Sequence, residues 1–282
     1  MADKNGPSSN ASQARRWIQA FRASHNALMT LVAGLPTEQL DAPSYCKGWD
    51  VSQVLSHIGS GAEIGLTNLE RSLVGEPQLG GDDFPVIWGR WNALAPRQKA
   101  VEMMTWDRRH VSVVEGLDDV TASTVRVELG GMELDLAGII GFRVSEHAVH
   151  SWDVAVAFEP SAELLNEPVV LLLNLLPVIV QWAGKPEASG VSGQVRVTTL
   201  RPEGHFLLDL GQKASLQEMD RPGPGSGASA ASVGADVSEL ELPAAALVRL
   251  VAGRLDPEHT PPDVKSDGKI GVEELRRAFP GL

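Results

Sequence analysis

Only one cysteine, Cys46, occurs in the 282 residues, so the chain holds no internal disulfide. Basic residues are also scarce, with 24 Lys and Arg against 36 Asp and Glu and a formal charge of -12. Non-specific affinity for phosphate backbones and anionic lipid heads comes from clustered Lys and Arg, so neither nucleic acid nor membrane is an expected partner. The longest strongly apolar run, residues 169–180, contains Asn174 and Pro177 and is shorter than the ~20 residues that a bilayer span requires. It reads as a buried helix. Residues 1–10 are polar and lack the apolar stretch of an export signal, which makes the cytoplasm the expected location. No internal repeat is visible. What is present is a 43% hydrophobic composition, ample for one large or two ordinary domains with real cores.

Apolar residues at Trp17, Phe21, Leu28, Leu31, Val32 and Leu35 share one helical face, so the spacing predicts a helix over 12–35. Asp50, with Gln53 three residues later, has the form of a capping box opening a second helix, apolar at Val51, Val54, Leu55, Ile58, Leu66 and Leu69. His57 falls on its second turn. Gly80, Gly81 and Pro85 are expected to break the chain before a third helix over 97–114, with Pro96 in a first-turn position. Residues 125–136 alternate around Gly130 and Gly131 as a short hairpin does. A fourth helix is predicted over 137–158, and a fifth, capped by Ser161 and apolar all round, ends near Trp182.

Beyond Gly184 the period shortens to two: Val195, Val197 and Thr199 alternate, 202–204 turns, and 206–210 reads as a returning strand. A strand over 237–242 and helices over 243–253 and 272–279 complete this module. Residues 222–234 are almost all Pro, Gly, Ser and Ala; they bury too little apolar surface to offset ordering entropy and are expected to form a flexible loop. The expected fold class is α+β, with a helical bundle over 1–185 followed by a smaller α+β domain over 186–282.

The fourth helix carries Arg143, Glu146, His150 and Asp153 within an arc of roughly 80°. A solvated ladder of i,i+3 and i,i+4 charges accounts for such a stripe at tenths of a kcal/mol. Glu146 and His150, however, stand one turn apart, the geometry by which a helix presents two ligands to one cation. A third ligand from another helix completes an open catalytic site, and His57 can supply it. His147 competes with Glu146 for the same role, since His147 and His150 also have metal-binding spacing. Three protein ligands leave a position open, the pattern of catalytic rather than structural zinc.

Gly48-Trp49-Asp50, then Val54-Leu55 and His57-Ile58, resembles the first motif of the mycothiol-dependent maleylpyruvate isomerase family, part of the DinB-like metalloprotein superfamily. Arg143, Glu146, His150 and Trp152-Asp153 resemble the second motif. The resemblance implies a DinB-like bundle binding a divalent metal through His57, Glu146 and His150. It continues at 250–255 and 267–279, which look like that family's sterol-carrier-like C-terminal domain. The insert at 222–234 and the Pro-rich stretch after Arg254 depart from it.

What the resemblance implies is a metalloenzyme, with zinc as the expected metal, that takes the thiol mycothiol and a small electrophile. The thiolate adds to an activated double bond, the resulting single bond rotates, and the thiol leaves as the trans isomer forms. Release of the adduct instead makes the same site a thiol S-transferase, and an intact metal site without turnover leaves a non-catalytic metal-binding protein. Asp153 and Arg143 are expected to support the ligands from behind. An anionic substrate requires a cation, for which the family points to an arginine of the C-terminal domain; Arg254 and Arg249 are the candidates, each equally readable as a solvated charge at a helix end. Cys46 reads as a small loop thiol rather than a nucleophile. Asp263 to Glu274 mimics a calcium loop, but Lys265 sits at a ligand position and Pro257, Pro261 and Pro262 forbid the entering helix.

Overall fold

The computed structural model describes residues 7–129, 131–164, 166–221 and 237–281. It divides into two compact units, Met1–Pro168 and Val169–Leu282.

The first unit is a helical bundle. Helix α1 (Pro7–Gly34) is followed by α2 (Val51–Val74), α3 (Asp83–Asn92), α4 (Pro96–Gly116), the short α5 (Asp119–Thr124), a hairpin of β1 (Arg126–Leu129) and β2 (Met132–Asp135), and α6 (Leu136–Ala155). The capping box at α2 forms as its sequence predicts: the Asp50 carboxylate accepts from Gln53 N at 2.8 Å, and the Gln53 side chain accepts from Asp50 N at 2.8 Å. Gly75 closes the helix in the left-handed region, where a side chain is strained. In the hairpin Val127 pairs with Leu134 and Leu129 with Met132. Asp135 then accepts from Gly138 N at 2.8 Å and starts α6 one residue earlier than the period suggested.

Helix α2 lies at the centre, packed by α4, α3 and α6, while α6 also packs along α1. Leu28, Val32, Leu35, Leu40, Val51, Val54, Leu55, Ile58, Trp91 and Met103 form one continuous core. Helix α3 was not anticipated, because Pro85 read as a breaker. Pro85 occupies the first turn, where the missing N–H has no intrahelical partner to lose. Trp91 then anchors the helix: its indole donates to Glu63 Oε2 at 2.7 Å, and its ring lies so close to Gly59 that a Cβ there would stand 2.3 Å from it.

The second unit begins 17 residues earlier than the expected boundary at 185/186, because α7 (Asn166–Ala183) falls mainly within it. Gly184, the residue directly after α7, stands against Ala214 and Phe279 of the same unit. Ser161 does not cap α7; its hydroxyl bonds Glu159. After α8 (Pro186–Ser189) come β3 (Gly193–Leu200), β4 (Gly204–Leu210), β5 (Ala214–Glu218), β6 (Ser238–Pro243), α9 (Ala244–Val251), β7 (Lys265–Asp267) and α10 (Val272–Ala278). The sheet runs β5-β4-β3-β6-β7, with β3 and β6 parallel and the other pairs antiparallel. Val195, Val197, Phe206, Leu208, Leu216, Leu240 and Leu242 are buried, alternating with less buried neighbours, the signature of a sheet covered on one face. Strand β5 was not expected, nor was β7, which takes up Lys265 to Asp267 of the calcium-loop mimic and pairs Lys265 with Glu241. The proposed loop at 222–234 lies outside the described residues.

A candidate metal centre on helices α2 and α6

Helix α2 brings His57 to the face of α6 that carries Glu146 and His150. His57 Nε2 lies 2.8 Å from Glu146 Oε2, and His150 Nε2 lies 3.5 Å from the same oxygen. One ligand atom from each of the three lies within 4.8 Å of the others. The rings of His57 and His150 meet edge to face, with centroids 4.7 Å apart. Two imidazole nitrogens and a carboxylate oxygen are a donor set suited to zinc or a similar divalent ion. The cluster is open on one side: the side chains of His57 and Glu146 are 39% and 45% exposed, whereas His150 is only 10% exposed.

Its floor is built by the loop between α1 and α2. Asp153, fully buried, sits 2.8 Å from His150 Nδ1, so it holds that nitrogen protonated and leaves Nε2 turned toward Glu146. The Cys46 thiol donates to the same Asp153 oxygen at 3.0 Å, and Tyr45 N donates to the Asp153 carbonyl at 3.1 Å. Tyr45 also packs edge-on against Trp152, whose indole bonds the Ala162 carbonyl at 2.8 Å. Burial disfavours the His150 cation, but its hydrogen bonds to Asp153, Cys46 and Glu146 outweigh that and raise its pKa well above the ordinary value. Burial likewise pushes Glu146 up, and bonds from His150 and His57 reverse the shift and hold it well below the carboxylate range. Shared protons bridge these groups. A divalent cation fits in the protons' place, since it satisfies the same lone pairs.

Two expectations resolve differently. Arg143 does not support the ligands: its guanidinium donates to Asp107 Oδ1 on α4 at 2.7 Å, in the core. His147 does not join the cluster either, since its Nε2 faces Asp107 Oδ1 at 2.9 Å and its Nδ1 faces Ser24 Oγ at 3.0 Å. With His25 Nδ1 on the other Asp107 oxygen at 2.6 Å, these residues make a second buried polar hub. Burial raises the Asp107 carboxyl, yet His147 and Arg143 overcome that and hold it well below its usual range. The pattern missed this hub because a helical wheel gives the direction of a side chain but not the helix that packs there.

In the second unit Arg249 is buried on α9, and Arg254 follows α9 with Nη1 donating to the Ala252 carbonyl at 2.6 Å.

Residues 21–155 match the sequence model of the mycothiol maleylpyruvate isomerase N-terminal domain. No curated protein sequence matches the chain. A crystal structure of the mycothiol-dependent maleylpyruvate isomerase is similar in fold, with a TM-score of 0.63 at 14% identity over 91% of this chain and 94% of that one. A histidine-to-alanine mutant of that isomerase superposes with the same TM-score at 15% identity, over the same shares of both chains.

Proposed function

We propose, from the match of residues 21–155 to the mycothiol maleylpyruvate isomerase N-terminal domain, that the chain is a metal-dependent enzyme acting through a low-molecular-weight thiol. The observation that carries this reading is the convergence of His57, Glu146 and His150 on one exposed edge of the bundle. The metal is zinc, and the thiol is mycothiol. When bound, the metal would supply positive charge that favours the thiolate over the thiol near neutral pH.

The chain's own groups do the rest. Asp153 fixes the His150 tautomer, and the Tyr45 to Trp49 loop fixes Asp153, so the ligand face is set before anything binds. His57 and Glu146 leave the site open for a thiol and a second reactant to meet. The sulfur adds to the activated double bond of a small electrophile such as maleylpyruvate, the former double bond rotates as a single bond, and the carbon–sulfur bond breaks to return thiol and trans product. Lowering a thiol from ~8.5 to ~6.5 increases its thiolate fraction at pH 7 about 25-fold, but a Brønsted slope of ~0.4–0.5 returns most of this as weaker nucleophilicity. Holding the reactants together must therefore supply most of the acceleration. Arg254 or Arg249 is the proposed contact for the substrate's carboxylate.

The test is metal analysis of the purified protein followed by incubation with mycothiol and maleylpyruvate. Isomer formed with thiol regenerated supports the isomerase. Thiol consumed one-for-one in a stable adduct makes the enzyme an S-transferase, and metal without thiol-dependent turnover across activated alkenes and epoxides removes the enzymatic reading.

A further inference from the structure

Trp49 is a large apolar side chain left exposed, at 38% of its surface, and it lies at the mouth of the candidate site. Its ring centroid is 5.5 Å from that of His57, the more exposed of the two histidine ligands. The cluster has a depth axis, running from fully buried Asp153 through His150 to His57 and Glu146 at the surface. Trp49 extends that axis outward.

The backbone beneath the ring is held firmly. Trp49 N donates to the Cys46 carbonyl at 2.9 Å, and the Trp49 carbonyl accepts from Ser44 N at 3.0 Å and Ser44 Oγ at 2.9 Å. Gly48, at φ +81°, makes the turn that aims the next residue out of the loop. Asp50 then caps α2, so the indole and His57 ride on one rigid element. A Trp kept half-exposed on such a support offers a preset apolar face whose π-cloud is electronegative, with an indole N–H at its edge. Among the described residues that N–H has no hydrogen-bond partner.

We infer that Trp49 is the platform for the carbohydrate part of the thiol, packing against the C–H face of one of its rings while the indole N–H donates to a hydroxyl. The inference rests on the proposed function and adds to it the group that distinguishes mycothiol from a small thiol. Mycothiol carries its cysteinyl sulfur on a hydroxylated two-ring carbohydrate. Sulfur seated at the three ligands directs this bulky part out over the exposed edge, where Trp49 stands. The electrophile must instead come within ~3–3.5 Å of the sulfur to react, which places it deeper than the indole.

Equilibrium binding of S-methyl mycothiol tests this without turnover, because the capped sulfur forms no thiolate and isolates the carrier's contribution. Trp49→Ala should weaken its binding about 3- to 10-fold, and Trp49→Phe, which keeps an aromatic face, should recover most of the loss. In steady-state assays Trp49→Ala should raise the KM for mycothiol more than it lowers kcat, and reduce the preference for mycothiol over N-acetylcysteine by a similar factor. Bound metal measured in the same variant separates a lost platform from a displaced His57. Unchanged S-methyl mycothiol binding, or a KM effect confined to the electrophile, overturns the assignment and leaves the proposed function standing. A wild-type protein that neither binds mycothiol nor turns over with any thiol overturns both.

Discussion

Asp153 is fully buried beneath the ligand face, where His150 Nδ1 at 2.8 Å and Cys46 Sγ at 3.0 Å share one of its oxygens. Replacing it with Asn keeps the shape but turns an acceptor into an amide. Asp153→Asn should therefore fold, and its metal affinity should fall about 10- to 100-fold, read by competition with a chelator. His57→Ala and His150→Ala should lose stoichiometric metal altogether, whereas His147→Ala should retain it at reduced stability, since His147 belongs to the Asp107 hub. Metal kept by His57→Ala and lost by His147→Ala would reverse that assignment. Spacing brings the three proposed ligands and Asp153 into view together, because Glu146, His150 and Asp153 lie on one arc of one helix and His57 lies in a motif. Cys46 could not: its place beneath Asp153 depends on a loop closed by Ser44 and Trp49, and no periodicity encodes a loop's path. Arg143 misled for the opposite reason. It lies only 60° from Glu146 around the helix, yet that rotation is enough to point it at α4 instead of α2.

The helices themselves were largely legible, since long amphipathic runs with capping residues leave few alternatives: α2, α4 and α6 lie close to where the periodicity placed them. Short elements were not. Helix α5 carries only a local cap, Asp118 accepting from Thr121 N, while α3, β5 and β7 are held by packing and pairing, and Trp91 shows how. Gly59→Ala, harmless on a helix by propensity alone, would put a Cβ 2.3 Å from the Trp91 ring. It should cost about 1–3 kcal/mol in urea unfolding, while Trp91→Leu in the same background should recover part of the loss by opening the space. The hub joining α1, α4 and α6 makes a second prediction at this scale. His110, buried beside it, has neither ring nitrogen hydrogen-bonded to protein, and burial, aided by Arg143, lowers its pKa to about 3. Its folded value lies below the ordinary 6.5, so between pH 6.5 and 3 the unfolded chain binds the extra proton. Stability from this group is present above that window and is lost as pH falls through it, with a slope approaching 1.4 kcal/mol per pH unit at about pH 4–5. His110→Leu should flatten the stability profile between pH 7 and 4 relative to the wild type. Asp107 also loses stability in acid, but only below about 3.8, so the two groups separate in a titration.

At the scale of the whole molecule, all three proposed ligands, Asp153 and Cys46 lie in the first unit, and both candidate arginines lie in the second. The sequence boundary at 185 placed α7 with the bundle because its apolar surface demands burial and periodicity cannot say against what. Most of α7 belongs to the second unit, and Gly184 just after it meets Ala214 and Phe279 there, so a truncation meant to isolate the bundle should end at Pro168 and leave out most of α7. A chain ending there should bind one equivalent of metal, because no ligand is removed. It should nevertheless lose turnover of an anionic electrophile if the substrate's carboxylate is met by Arg249 or Arg254, which the truncation removes. Full activity in the truncated chain would remove the second unit from the substrate site. To separate loss of a contact from loss of a fold, Arg254→Ala in the intact chain is the sharper variant, since Arg254 lies beyond α9 and is less buried than Arg249. If Arg254 pairs with the substrate carboxylate, its removal should raise KM for maleylpyruvate at least tenfold, leave metal content unchanged, and have little effect on an uncharged activated alkene. An equal loss with charged and uncharged acceptors would mean that the residue holds the second unit together rather than the substrate.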